Sequence, residues 1–91
     1  MKTSQQMERH LKGVANHWRI DIIFALAENK TLSLEKIVEM VNGNTKTISE
    51  HTHRLHKAGL INKEYSGRTV IHFLSPYGKK FHTFLKTFQH S

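Results

Sequence analysis

Hydrogen-bonding and charged side chains recur at helical spacing between Asn44 and Ile61. A helix of about 3.6 residues per turn separates them from the apolar positions. The polar side carries Lys46, Ser49, Glu50, His53 and Lys57, and the opposite side carries Ile48, Thr52 and Leu55. Such a face offers hydrogen-bond donors, acceptors and positive charge to an anionic partner, although an ordinary surface helix would only expose the same groups to water.

Positive charge is concentrated in the same half of the chain. The 91 residues carry a formal charge of +7 and have a pI of about 10.0. Residues 1–45 hold six basic and five acidic side chains, whereas residues 46–91 hold eight and two. A basic small domain is typical of proteins that bind nucleic acid or an anionic membrane surface.

Catalytic and metal chemistry find little support in the sequence. The absence of cysteine excludes disulfides and thiolate metal sites. No Gly-rich phosphate loop and no paired carboxylates near a histidine are present, so we predict that the chain is not an enzyme. His51, His53 and His56 are close in sequence, but helical spacing turns them to different sides. We therefore predict no metal site and no cofactor, because such a site needs three or four convergent ligands.

Two further patterns bear on the cellular location. The longest apolar run, residues 22–27, is far shorter than the roughly 20 residues that cross a bilayer. The first ten residues lack the apolar core of a signal peptide. We expect a cytoplasmic protein that does not bind membranes.

Capping residues and apolar spacing predict one mainly α domain over residues 1–91, with about five helices and a β-hairpin. Residues with short polar side chains can cap helix N-termini, because their oxygen atoms accept hydrogen bonds from free N–H groups. The first predicted helix spans Ser4 to Val14, and the later ones begin near Asn16, Ser33, Asn44 and Ser75.

The third and fourth helices are joined at Asn42-Gly43, where both residues tolerate positive φ. Two helices with such a short connection form a helix-turn-helix, whose second helix enters the major groove of DNA. Gly59 is placed to end that helix as a left-handed C-cap. The β-forming runs on either side of Ser66-Gly67-Arg68 then predict a hairpin with a basic tip.

From Leu11 to Leu85 the chain resembles the winged helix-turn-helix regulators of the ArsR type, and more loosely those of the MarR type. Three segments carry the resemblance in the right order: LKGVANHWRIDII, TISEHTHRLHKAGLI and SGRTVIHFLSPYG. Thr52 departs from the family pattern, which usually has Leu there, and predicts a hydroxyl bonded back to its own helix or a slightly loosened helix. The resemblance implies a fold of about five helices plus a two-stranded wing.

The resemblance also implies a homodimer in which the first and last helices, residues 1–14 and 76–90, form much of the interface. The apolar stripes of these helices could instead cover each other within one subunit. A chain of this size buries only about 60% of the surface of its unfolded form, which favours the dimer. The expected interface residues are Met7, Leu11, Val14, Tyr77, Phe81, Phe84, Leu85 and Phe88.

Double-stranded DNA is the partner that the resemblance implies, with residues 44–58 in the major groove and residues 62–74 at the minor groove. Lys46 and Arg54 can contact phosphate or guanine, and Ser49 either kind of group. Glu50 either accepts a hydrogen bond from cytosine or offsets a neighbouring charge. Arg68 either approaches the minor groove or is a solvated turn residue. The candidate DNA-binding residues are Thr45, Lys46, Thr47, Ser49, Glu50, His53, Arg54, Lys57, Lys63 and Arg68.

Metal sensing is not expected, although arsenic and cadmium sensors of this family carry cysteines in the third helix. The corresponding positions here hold Ser33 and Glu35. The sequence therefore favours a homodimeric transcription regulator, most simply a repressor, without a predicted effector. The alternative is a winged-helix module that binds protein and does not read DNA, because fold alone does not fix function.

Overall fold

Five helices and three strands make up the computed structural model, which describes all 91 residues. The helices are α1 (Ser4–Val14), α2 (His17–Glu28), α3 (Leu34–Val41), α4 (Thr45–Lys57) and α5 (Pro76–Gln89). The strands are β1 (Leu32–Ser33), β2 (Ile61–Ser66) and β3 (Thr69–Leu74). The predicted fold class, mainly α with a β-hairpin, is confirmed.

Every helix begins at a side chain that accepts hydrogen bonds from its first turn. Asn16 accepts from the N–H groups of Trp18 and Arg19, and the other predicted caps lie at the starts of α3, α4 and α5. Thr3 caps α1 in a capping box with Gln6, which we did not predict. These local bonds fix where each helix starts, because they satisfy N–H groups that have no partner within the helix.

A tight turn joins α3 to α4. Asn42 adopts the left-handed conformation with φ of 56°, whereas Gly43 does not need positive φ. A Cβ atom at Gly43 would clash with the side chain of Ile48 and would lie 3.3 Å from the Trp18 ring. The glycine is therefore required by close packing, and it brings the start of α2 against the start of α4.

The sheet has one strand more than the predicted two-stranded wing. Its order is β1-β3-β2, with all neighbours antiparallel, and Leu32 lies opposite His72. His72 is buried, and its Nδ1 donates a hydrogen bond to the carbonyl oxygen of Leu32 at 3.0 Å. The third strand thus ties the wing to the segment that leads into α3.

The core lies between α2, α3, α4 and the base of the hairpin. Its fully buried apolar side chains are Ile22, Ile23, Ile37, Ile48, Leu55, Leu60 and Ile61. Helix α5 packs closely on this core, because a Cβ atom at Gly78 would clash with the carbonyl oxygen of Leu60. No helix is long and apolar enough to span a membrane.

Helices α1 and α5 leave much of their apolar surface uncovered. Phe84 is 57% exposed and Phe88 66% exposed, and their rings stack with centroids 6.0 Å apart. Val14 was predicted at this surface but lies in the subunit core, only 6% exposed, because the end of α1 packs closely on the end of α4. Phe81 and Leu85 are half-buried and pack against the same core.

Candidate nucleic-acid interface

Helix α4 presents one continuous polar surface, which we call the ridge. Its members Lys46, Ser49, Glu50, His53, Arg54 and Lys57 are all exposed, and Thr45 at the start of the helix is exposed as well. On the opposite side Ile48 and Leu55 are fully buried. The core therefore holds the helix firmly while the ridge remains free to meet a partner.

Thr52 lies beneath the ridge and is 2% exposed. Its Oγ1 donates a hydrogen bond to the carbonyl oxygen of Ser49 at 2.8 Å. The structure therefore shows the first of the two alternatives that we gave for Thr52, a hydroxyl group that is hydrogen-bonded to its own helix. The bond compensates the cost of burying a hydroxyl without a partner.

Glu50 is paired within the ridge. Its Oε1 accepts a hydrogen bond from Nη2 of Arg54 at 3.0 Å, one helical turn away. This bond, and then the positive charge of Arg54, lower the pKa of the Glu50 carboxyl. In the free protein Glu50 therefore offsets the charge of Arg54, which is one of the two roles that the sequence left open.

The N-terminus of α4 offers free backbone donors. The side chain of Asn44 accepts a hydrogen bond from the N–H of Thr47 at 2.9 Å. The N–H groups of Thr45 and Lys46 have no partner in the chain. Free N–H groups at a helix N-terminus favour bound anions, and here they lie beside two threonine hydroxyls.

A cleft of about 320 Å³ separates α4 from the wing. Ser49 lines it from the helix, and Lys63 and Arg68 line it from the hairpin. Gly67 at the hairpin tip has φ of 64° and nothing within 4 Å of the position of a Cβ atom, so the tip projects freely. The two cationic side chains thus lie on the same side of the ridge.

A second group of charges lies on the other side of α4 and was not foreseen from the sequence. Arg19 of α2 is half-buried, and burial followed by the charge of Arg54 lowers its pKa. Burial and then the charge of Arg19 lower the pKa of His51. Arg19 Nε and His51 Nδ1 are buried without hydrogen-bond partners. Only the packing of α2 on α4 brings these residues together, and no local sequence pattern shows that.

Histidines and acids do not gather into a metal centre in this structure. No group of three or more His, Cys, Asp or Glu side chains is close enough to hold a metal ion. His51 faces α2, whereas His53 and His56 are exposed. The arrangement offers hydrogen bonds and positive charge rather than metal ligands.

A helix-turn-helix with an exposed basic second helix, followed by a hairpin, defines the class of winged helix-turn-helix proteins. The model of the family described as "Bacterial regulatory protein, arsR family" matches residues 17–63, just over half of the chain. The chain belongs to this family, whose members are transcription regulators. No curated protein sequence matches the chain significantly.

Solved structures agree with this assignment. HlyU from Vibrio cholerae N16961 is 26% identical, with a TM-score of 0.87 over 99% of this chain and 98% of its own. HlyU from Vibrio vulnificus CMCP6, a transcriptional regulator, is 26% identical, with a TM-score of 0.79 over 93% of this chain and 88% of its own. Mb0332 from Mycobacterium bovis, a homodimeric DNA-binding domain, is 21% identical, with a TM-score of 0.85 over 94% and 80%, and shows the fold alone.

Proposed function

We propose that the chain is a homodimeric, cytoplasmic transcription regulator that binds double-stranded DNA and acts as a repressor. The observation that carries this proposal is helix α4, whose ridge is exposed and basic while Ile48 and Leu55 are fully buried. The segment 44–58 would lie in the major groove, and the wing, residues 62–74, at the minor groove. The side chains of the ridge can reach base edges only if α4 is held rigidly. Its buried residues anchor it in the core and hold it in this way.

Contacts within the major groove would come from the ridge. Lys46 and Arg54 supply positive charge for phosphate or guanine, and Ser49 can donate or accept a hydrogen bond. His53 and Lys57 extend the same exposed surface toward the end of the helix. Glu50 would keep Arg54 in place through the 3.0 Å hydrogen bond.

Phosphate contacts would frame the ridge. The free N–H groups at the start of α4, with the hydroxyls of Thr45 and Thr47, suit one phosphate. Lys63 and Arg68 line the cleft beside the wing and suit the backbone there or the adjoining minor groove. Such contacts orient the helix in the groove but do not read sequence.

The dimer would form through the uncovered faces of α1 and α5. Met7, Leu11, Tyr77, Phe84 and Phe88 are exposed large apolar side chains on these two helices. A groove of about 340 Å³ between the helices adds to the same surface. Contiguous exposed apolar surface of this kind marks interaction sites. A two-fold dimer would present two α4 helices to half-sites about one helical turn apart.

Repression follows most simply from this geometry. A dimer bound at two half-sites occupies more than one turn of the duplex, so RNA polymerase could not use the same stretch of promoter. This mode of action requires no contact with the polymerase and no second binding surface.

Fluorescence anisotropy with a labelled duplex of random sequence tests the proposal. We expect binding at roughly 50 mM salt that weakens steeply by roughly 200 mM, because phosphate contacts release counterions. Lys46→Ala should weaken binding, whereas Lys30→Ala, at an exposed position just after α2, should not. Absence of binding at low salt would contradict the proposal and leave a module that binds protein as the better reading of the fold.

A further inference from the structure

The ridge of α4 has two flanks, which face different parts of the subunit. A helix turns about 100° per residue, so Ser49 and His51 lie on opposite sides of the buried line through Ile48. Ser49 lines the cleft beside Lys63 and Arg68, and this side is the wing flank. His51 lies near Arg19 of α2, and this side is the α2 flank.

Local packing fixes the position of Arg19 beside α4. Its backbone N–H donates to the side chain of Asn16 at 3.3 Å, in the first turn of α2. The neighbouring Trp18 packs against the turn before α4, where a Cβ atom at Gly43 would lie 3.3 Å from its ring. The start of α2 is therefore held against the start of α4, and Arg19 is held with it.

The side chain of Arg19 has no hydrogen-bond or salt-bridge partner within the subunit. The chain forms three salt bridges, Lys12–Glu8, Lys36–Glu39 and Arg54–Glu50, and none of them includes Arg19. Its Nε atom is buried without a hydrogen-bond partner, and the nearby charge that acts on it most strongly is the like charge of Arg54. An anion would stabilise a guanidinium group that is partly desolvated beside another cation.

The size of the major groove indicates which anion would lie there. The groove is about 12 Å wide, and a helix with its side chains is about 10–12 Å across. A helix seated in the groove therefore has one phosphate backbone along each flank. Lys63 and Arg68 can contact the DNA phosphate backbone on the wing flank. Arg19 is the cation that α2 places on the opposite flank.

We propose that Arg19 contacts a DNA phosphate on the α2 flank, so that the two backbones of the major groove are held by different elements, the wing and the start of α2. This inference rests on the proposed DNA-binding function. Arg54 is the ridge member whose charge acts on Arg19, and it shares the same phosphate or its neighbour. Arg19 acts as a positioning contact that carries no base preference, since phosphates are the same at every base pair.

The salt dependence of DNA binding tests the role of Arg19. Arg19→Met keeps the length of the buried stem and removes the charge, and Arg19→Lys keeps a charge. Lys30→Met is the control, because Lys30 is exposed and lies after the end of α2, away from the start of the helix where Arg19 lies. For each full-length variant, anisotropy titrations of a random-sequence duplex at several salt concentrations give the slope of log affinity against log salt. Each lost phosphate contact should reduce the magnitude of that slope by about 0.9.

We expect the slope of Arg19→Met to be smaller in magnitude by about 0.9 per bound subunit. The slope of Arg19→Lys should stay close to that of the unchanged protein, and the slope of Lys30→Met should equal it. An Arg19→Met slope equal to that of Lys30→Met overturns the inference, and the proposed DNA binding survives if the unchanged protein still binds. If the unchanged protein does not bind at low salt, the proposed function itself fails. Circular dichroism checks folding, and Arg19→Gln replaces Arg19→Met if the latter has lost helix.

Discussion

The Nδ1 atom of His10 lies 2.7 Å from the carbonyl oxygen of Ala58 and donates a hydrogen bond to it. His10 belongs to α1, and Ala58 is the C-cap of α4. The last carbonyl groups of a helix have no partner within the helix, so this bond satisfies one of them in a buried place. The imidazole also packs against Tyr77 of α5, with ring centroids 5.0 Å apart. One side chain thus links both helices of the proposed dimer surface to the end of α4.

Replacing His10 by leucine should lower the free energy of unfolding by about 1–3 kcal/mol. The change puts an apolar side chain in the same buried place and leaves the Ala58 carbonyl without a donor. Urea denaturation followed by circular dichroism measures the effect, and His90→Leu, at an exposed position, serves as the control. Equal stability of the two variants would show that the bond contributes nothing.

Gly78→Ala should destabilise the protein more than Gly67→Ala. At Gly78 the new methyl group meets the backbone of Leu60, which cannot move away without shifting α5. At Gly67 the space is open, and the cost is that of positive φ alone, about 1–2 kcal/mol. Thermal melting of both variants gives the order, and the opposite order would contradict the close packing of α5.

Local capping and turn residues predicted most of the fold. Asn16, Ser33, Asn44 and Ser75 act through hydrogen bonds within three residues, so the sequence alone contains their partners. Strand β1 was missed because its two residues become a strand only by pairing with β3, about 40 positions later. Tertiary pairing of this kind leaves no periodic pattern in the sequence.

Stability should fall as the pH drops below about 6.5, in part because of His72. Burial, which is the largest effect on this residue, lowers the pKa of its imidazole below the value in the unfolded chain. Between the two pKa values the unfolded state binds a proton that the folded state does not, so stability decreases with falling pH.

The slope of that decrease is at most about 1.4 kcal/mol per pH unit for one such group. His72→Gln can still donate to Leu32 but does not titrate, so it should flatten the dependence of unfolding free energy on pH between pH 7 and roughly 5. A pH dependence unchanged in His72→Gln would contradict the assignment.

Phe84→Glu should shift the proposed dimer toward monomer. A carboxylate in an apolar interface must lose its water without gaining a partner. Tyr65→Glu makes a similar change at a residue that is 82% exposed on the wing, outside the proposed interface. Sedimentation equilibrium at micromolar concentration should show the shift for Phe84→Glu only, and a monomer for the unchanged protein would rule out the dimer.

The candidate interface was predictable in part, for a physical reason. The ridge of α4 lies on one helix, so helical spacing alone indicated which side chains share a face. Arg19 and His51 belong to different helices, and His10 and Val14 are buried by contacts made far along the chain. Histidine is difficult to place from sequence, because its burial depends on a carbonyl partner such as those of Ala58 and Leu32.

Selection of bound duplexes from a random pool tests the central claim most directly. A two-fold dimer with α4 in the major groove should enrich a palindromic sequence whose half-sites are centred about one helical turn apart, roughly 10 base pairs. Bound sequences with no enrichment over the starting pool would contradict the claim that the ridge of α4 reads DNA.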